Sequence, residues 1–278
     1  MEVVWAGIKD TDRQVLAKAA FGKWMETWCG EGMPHISEMT YELEKEMSPR
    51  TPGQAFEMIV GYIDYRKPEA DDFEVLSIEK PFIVPLDPTD PTLFYVGKID
   101  KIVRYRGKKI LGIEHKTTTA YKKNGPFRNE FLESFSPNSQ VDGYLFALHM
   151  MFPGEVGGVW VDACLVHKSE EGFKYIPVEK QLRHLDSWIF DTRHWINQIE
   201  HEKEVLKEFC KPEDPYMGAF PKNTNSCWDF NHSCPYLHMC RSFPNPLGRN
   251  MPDSYTQEHW DPLDHVKGLD QLIEEKVA

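Results

Sequence analysis

Asp100, Glu114 and Lys116 are the residues of this chain best suited to holding a divalent cation beside a phosphate. They sit within the run Val96–Lys116, which reads as two β-strands, Leu93–Arg104 and Lys109–His115, joined by a turn at Arg106-Gly107-Lys108. Side chains alternate across a strand, so Glu114 and Lys116 share one face and His115 points to the other. Asp100 lies near the end of the first strand, where hairpin pairing can bring it beside Glu114. Hard cations such as magnesium want carboxylate oxygens, and an adjacent lysine can serve the attacked phosphate or the water. The plainer alternative is an edge hairpin with solvated charges. Ile99, Ile102, Ile110, Leu111 and Ile113 give the hairpin an apolar face and argue against full exposure.

The surrounding elements must deliver this hairpin. Residues 10–29 read as a helix, with Leu16, Ala20 and Trp24 at helical spacing and Asp10 or Thr11 as its cap. A second helix is expected over Ser37–Met47 and a third over Pro52–Tyr65, and Phe73–Val84 reads as a strand. After Lys116 comes a polar segment, Thr117–Glu130, and then a helix over Ser134–Met150. That helix places Gln140 and Tyr144 four residues apart, on one face. Strands at Gly157–His167 and Phe173–Val178 precede a long helix, Gln181–Phe209, and an irregular stretch rich in proline and cysteine. The pattern is mixed α/β around a small sheet.

A chain of 278 residues can bury a sizeable core. No apolar run approaches membrane-spanning length, and Asp10, Asp12 and Arg13 interrupt any signal-like start. The expectation is a cytoplasmic protein with no membrane partner. The net charge of −12 disfavours a nucleic-acid binder, but its distribution is uneven. Lys98, Lys101, Arg104, Arg106, Lys108, Lys109, Lys116, Lys122, Lys123 and Arg128 crowd around the candidate site. Local potential governs phosphate attraction more than total charge does, so these residues read as a DNA-facing groove. The six cysteines are not expected to form disulfides, and Cys227, Cys234 and Cys240 crowd together in a way that suggests a metal or cluster.

Gly97-Lys98-Ile99-Asp100, Glu114-His115-Lys116-Thr117-Thr118 and Gln140-Val141-Asp142-Gly143-Tyr144 occur in that order. Together they resemble the PD-(D/E)XK nuclease superfamily, in particular its RecB-type, exonuclease-like branch with many phage-encoded members. The resemblance extends from about Phe21 to Phe243. It implies a restriction-endonuclease-like α/β core, a small mixed central sheet flanked by helices. The core with its N-terminal helices would occupy residues 1–210, a cysteine module 211–250 and a tail 251–278.

The resemblance also implies roles. Asp100 and Glu114 would bind magnesium or manganese with the backbone carbonyl of His115, and Lys116 would align the attacking water or stabilise charge on phosphate. Gln140 and Tyr144 would contact DNA or brace the site, with Lys98 and Thr117 beside them. The branch carries a histidine in Gly-x-x-x-His on an early helix; here Gly22–Glu26 ends in glutamate, and so does Gly53–Glu57. Glu26 is the preferred first-motif ligand and Glu57 the rival. The C-terminal cysteines resemble the module of iron–sulfur nucleases in the same superfamily. Cys227, Cys234 and Cys240 would then hold a [4Fe-4S] cluster, or zinc as the lesser alternative. Cys29 is the candidate fourth ligand, with Cys210, His232 and His238 as substitutes. The leading expectation is a magnesium-dependent deoxyribonuclease for recombination, repair or phage DNA metabolism. It would act in a bacterial or phage-infected cytoplasm, with a helicase or recombinase as candidate partner. The alternatives are a catalytically impaired DNA-binding module and a scaffold within a recombination complex.

Overall fold

The computed structural model describes residues 1–278 apart from 88, 91, 120–124, 230–231, 251, 260 and 266–278. Lys122, Lys123 and most of the expected tail therefore lie outside the described residues. Met1–Leu185, with the described part of 261–278, forms one compact unit, and Asp186–Trp260 forms another.

The first unit begins with α1 (Glu2–Gly7) and α2 (Arg13–Gly30), followed by α3 (Tyr41–Met47) and α4 (Pro52–Arg66). Asp12, rather than Asp10 or Thr11, caps α2, because its carboxylate accepts from the backbone N–H groups of Gln14 and Val15. The helix expected over 37–47 is broken: Ile36–Glu38 is a 3₁₀ turn, and Thr40, in extended conformation, caps α3 through its hydroxyl. Thr51 caps α4, with Pro52 in the first turn, where a missing N–H costs nothing.

Five strands follow: β1 (Phe73–Pro85), β2 (Phe94–Tyr105), β3 (Lys109–Thr118), β4 (Val156–Leu165) and β5 (Phe173–Val178). They form one sheet in sequence order, β1-β2-β3-β4-β5, with β3 and β4 parallel and the other neighbours antiparallel. The β2–β3 turn holds Arg106 and Gly107 at φ 49° and 66°, and the Lys108 N–H donates to the Tyr105 carbonyl at 3.0 Å. Two consecutive left-handed residues match the twist of a hairpin, and glycine takes the second without strain.

The parallel β3–β4 pair needs a crossover. It is supplied by α5 (Asn129–Glu133) and α6 (Ser139–Met151). The helix expected from Ser134 starts later, because Asn138 is extended and its side chain caps the N–H groups of Gln140 and Val141. Both faces of the central strands are covered, so Ile110–Glu114 is buried without alternation. One face carries α1, α2 and α4, whose Val4, Trp5, Ile8, Leu16, Ile59, Tyr62 and Ile63 pack on Val103, Leu111, Ile113 and Cys164. On the opposite face α6 lies close: a Cβ on Gly112 of β3 would stand 2.9 Å from Leu148.

The second unit takes most of α7 (Leu182–Phe209), a two-residue hairpin of β6 (Trp228–Asp229) and β7 (His232–Ser233), and α8 (Leu237–Ser242). Among the described residues no helix is long and apolar enough to cross a membrane.

Candidate active site

The β2–β3 ladder runs from Tyr105 opposite Lys109 to Lys101 opposite Ile113, where it ends. One residue further in the same register, Asp100 stands across from Glu114. Asp100 is mid-strand in β2, not at its end as expected, and what ends there is the pairing with β3. In place of a further ladder bond, the His115 N–H donates to the Asp100 carboxylate at 2.8 Å. β3 continues to Thr118 by pairing with β4 alone. The site therefore forms where two strands part, near the carboxyl end of β3, the kind of position at which open α/β sheets commonly bind ligands.

Glu114 is only 4% exposed. One carboxylate oxygen pairs with Lys116 Nζ at 2.7 Å, and the other is buried without a hydrogen-bond partner. Desolvation by burial raises its pKa, the bond from Lys116 opposes this, and the charge of Asp100 adds to the rise. Asp100 is raised for the same leading reason, with the His115 N–H opposing and Glu79 adding to the rise. Two carboxylates close together and largely withdrawn from water, one with an idle oxygen, repel each other. Lys116 is one-third exposed and offsets only part of this repulsion. The donor set fits a hard divalent cation that keeps several of its own waters.

The Tyr144 hydroxyl donates to the Lys98 carbonyl at 2.9 Å and accepts from Gln140 Nε2 at 3.1 Å. The pair thus braces β2 just beyond the end of its ladder with β3. Lys98 itself is exposed and forms an ion pair with Glu79. Thr117 is exposed on β3.

The other face of the sheet holds a buried polar network that the sequence did not suggest. Asp162 of β4 is fully buried, accepts from the Tyr62 hydroxyl and pairs with Arg66. Trp5 Nε1 donates to the Tyr62 hydroxyl at 2.7 Å. His115 Nδ1 lies 3.4 Å from Asp162. Burial, with Lys101 and Arg66 nearby, pushes the His115 pKa well down, so the ring is neutral. These contacts hold β3 from behind at the residue whose N–H meets Asp100.

Several expectations change. Lys101 does not face DNA: it is 1% exposed, its Nζ lies 3.5 Å from the Trp5 ring centre, and burial lowers its pKa to about 7. Its position on β2, opposite in facing to Asp100, sends it into the core. Arg104 is held by Glu155 and Glu74, and Arg106 by Asp72, so much of the expected basic groove is neutralised within the fold. Lys108 and Lys109 remain exposed at the hairpin turn.

Glu26 is exposed on α2 and pairs with Lys23 at 3.1 Å; Glu57 is exposed on α4. Neither lines the cleft of about 180 Å³ that Asp100 lines. The acids found there are Glu2 of α1 and Glu79 of β1, with Trp5, Lys101 and His115. Ile78 faces Lys101 and Lys80 faces Ile99, leaving Glu79 across from Asp100. Sequence alone offered no sign of Glu79 beyond its lying in a strand, since strand order and register set its neighbour.

Among the described residues, no three His, Cys, Asp or Glu side chains converge tightly enough to hold a metal by themselves. A cation at Asp100 and Glu114 therefore needs backbone and water oxygens as well. Among the described residues, the expected cysteine ligands fall in no group of three or more His, Cys, Asp or Glu. Cys227 and Cys234 are half-buried at the ends of the small hairpin, joined by the Cys234 N–H to the Cys227 carbonyl at 2.9 Å, and Cys240 is exposed on α8. Cys29 lies in the last turn of α2, in the other compact unit. Cys164 is buried in the core, an ordinary packed residue.

No family model matches the chain, and no curated protein matches it. Solved structures resemble it distantly. One, a protein of Eubacterium rectale named as a candidate exonuclease, is 9% identical, with 94% of this chain and 81% of that chain covered at a TM-score of 0.40. Another, designated SSO0001, is 14% identical, with 62% of this chain and 75% of that chain covered at a TM-score of 0.30.

Proposed function

We propose that this protein is a metal-dependent nuclease that hydrolyses phosphodiester bonds in DNA. The carrying observation is the Asp100–Glu114 pair: two desolvated carboxylates, one oxygen without a partner, and a lysine two residues along the same strand face. A bound magnesium or manganese ion would supply charge neutralisation of the phosphate and polarisation of the attacking water. Asp100 and Glu114 would hold it, with the His115 carbonyl as a further oxygen. Lys116 places its ammonium where charge builds on the phosphate oxygens during attack. Gln140 and Tyr144 keep the parted end of β2 in place, and Lys98 and Thr117 present a cation and a hydroxyl to the DNA backbone. Processing of DNA ends in recombination, repair or phage DNA metabolism is the setting this reading favours.

A second reading, a DNA-binding module with impaired catalysis, draws on the exposure of both candidate first-motif glutamates away from the cleft. End-labelled linear DNA, beside a covalently closed circle, separates the two. Wild-type protein should degrade the linear substrate only with magnesium or manganese. Asp100→Asn and Lys116→Ala should each lose roughly a hundredfold or more of that rate, with their melting transitions retained. Wild-type-like cleavage by either variant would refute the site; binding without cleavage by wild type would establish the second reading.

A further inference from the structure

We propose that Glu79, rather than Glu26 or Glu57, is the third acid of the Asp100–Glu114 cation site, an assignment that rests on the nuclease reading above. Ile78 pairs with Lys101 and Lys80 with Ile99, which sets Glu79 level with Asp100 on the neighbouring strand; Asp100 and Glu114 are the first residues past the last β2–β3 pair, Lys101 with Ile113. Glu79 lines the same cleft as Asp100, and its charge bears on both partners. A second observation, independent of the acids' proximity, points to a cation as ligand. Glu114, 4% exposed, leaves one oxygen buried and unpartnered. A carboxylate oxygen so placed is costly unless a positive group meets it.

The backbone at Glu79 sits at φ 50°, a left-handed conformation that an L-residue other than glycine, asparagine or aspartate rarely adopts. The β1–β2 register runs without a shift from Ile78 to Lys80, the one shift lying earlier, between Val75 and Ser77. Asparagine would serve that backbone better than glutamate, so the backbone does not explain the side chain. Glu79 forms an ion pair with Lys98. When the exposed Lys98 turns to a DNA phosphate, the Glu79 charge is left to the cation. Because no three acids converge tightly enough to share an ion directly, Glu79 acts as a positioning residue: it adds negative field at the ion and orders the water around it.

The test is manganese binding without substrate, read from the electron paramagnetic resonance of free Mn²⁺, beside thermal melts in chelator. Glu79→Gln and Glu79→Asn should each weaken binding about tenfold or more. Asp100→Asn should abolish it, while Glu26→Gln and Glu57→Gln should leave it unchanged. Glu79→Asn removes the charge while relieving the backbone, so it should melt no lower than wild type in chelator. Binding by both Glu79 variants equal to wild type, with Asp100→Asn deficient, would overturn the role of Glu79 and leave the nuclease reading standing. Wild type and Asp100→Asn both failing to bind would overturn the cation site and this assignment together.

Discussion

Asp100 and Glu114 are unfavourable residues from the standpoint of folding alone. Each has a pKa raised first by burial, so the folded chain holds their protons more tightly than the unfolded chain does. As pH rises from the ordinary carboxylate range through these raised values, the unfolded state has already lost its protons and the folded state must lose its own. Stability therefore falls through that window and stays lower at neutrality. Asp100→Asn removes one of the two charges and keeps an oxygen to accept from the His115 N–H. Metal-free Asp100→Asn should thus melt above metal-free wild type at neutral pH, with the gain fading once both carboxyls of the wild type are protonated. Equal melting at neutral pH would show that the pair carries no electrostatic penalty. Stabilisation on removal of a functional group is the expected trade at a site built for chemistry rather than for folding.

At the scale of elements, the site depends on where the β2–β3 ladder stops. Beyond Lys101 and Ile113, β2 turns its backbone to other partners, and the Lys98 carbonyl is taken by Tyr144 of α6. Tyr144→Phe should cost about 1 kcal/mol in stability, the usual net worth of one such bond. It should also slow cleavage while leaving manganese affinity intact, because it loosens β2 without touching a carboxylate. Denaturant melts, single-turnover rates and manganese titration together check this; a lost metal affinity would place Tyr144 in the cation site itself. The opposite face is tied by α4, whose Tyr62 and Arg66 meet Asp162 directly behind His115. The hairpin and the Gln140–Tyr144 helix were legible from spacing and alternation in the chain. The network at Asp162 was not, because Asp162 and Arg66 are 96 residues apart and charged residues ordinarily read as exposed.

At the scale of the whole molecule, the net charge is −12, and Arg104 and Arg106 are already paired within the fold. On the proposed reading, a divalent cation would have two tasks, to quiet the acidic groups and to admit a phosphate. Ligand binding to the folded state alone adds about 2.7 kcal/mol when the ion is present at about a hundred times its dissociation constant. For a unit of this size that corresponds to a rise of roughly 5–10 °C in Tm. Manganese should therefore raise the melting temperature of the wild type by about that amount at neutral pH, and by less in acid, where protons compete for the same oxygens. Asp100→Asn should show no such rise. A shift equal in both proteins would mean that manganese binds elsewhere.

Alternation along Val96–Lys116, a tight turn at Gly107 and the spacing of Gln140 and Tyr144 are local properties, and local properties are what a sequence expresses directly. They determined the hairpin, the sharing of one face by Glu114 and Lys116, and the helix face carrying the two polar residues. Only the tertiary structure decided that Lys101 turns inward, that Arg104 and Arg106 are consumed by acids distant in sequence, and that Glu79 rather than Glu26 or Glu57 stands beside Asp100. Each of these depends on which strand lies next to which and in what register. That choice is made by burial of the whole sheet between its helices, a sum over many small contacts that no short stretch of chain contains.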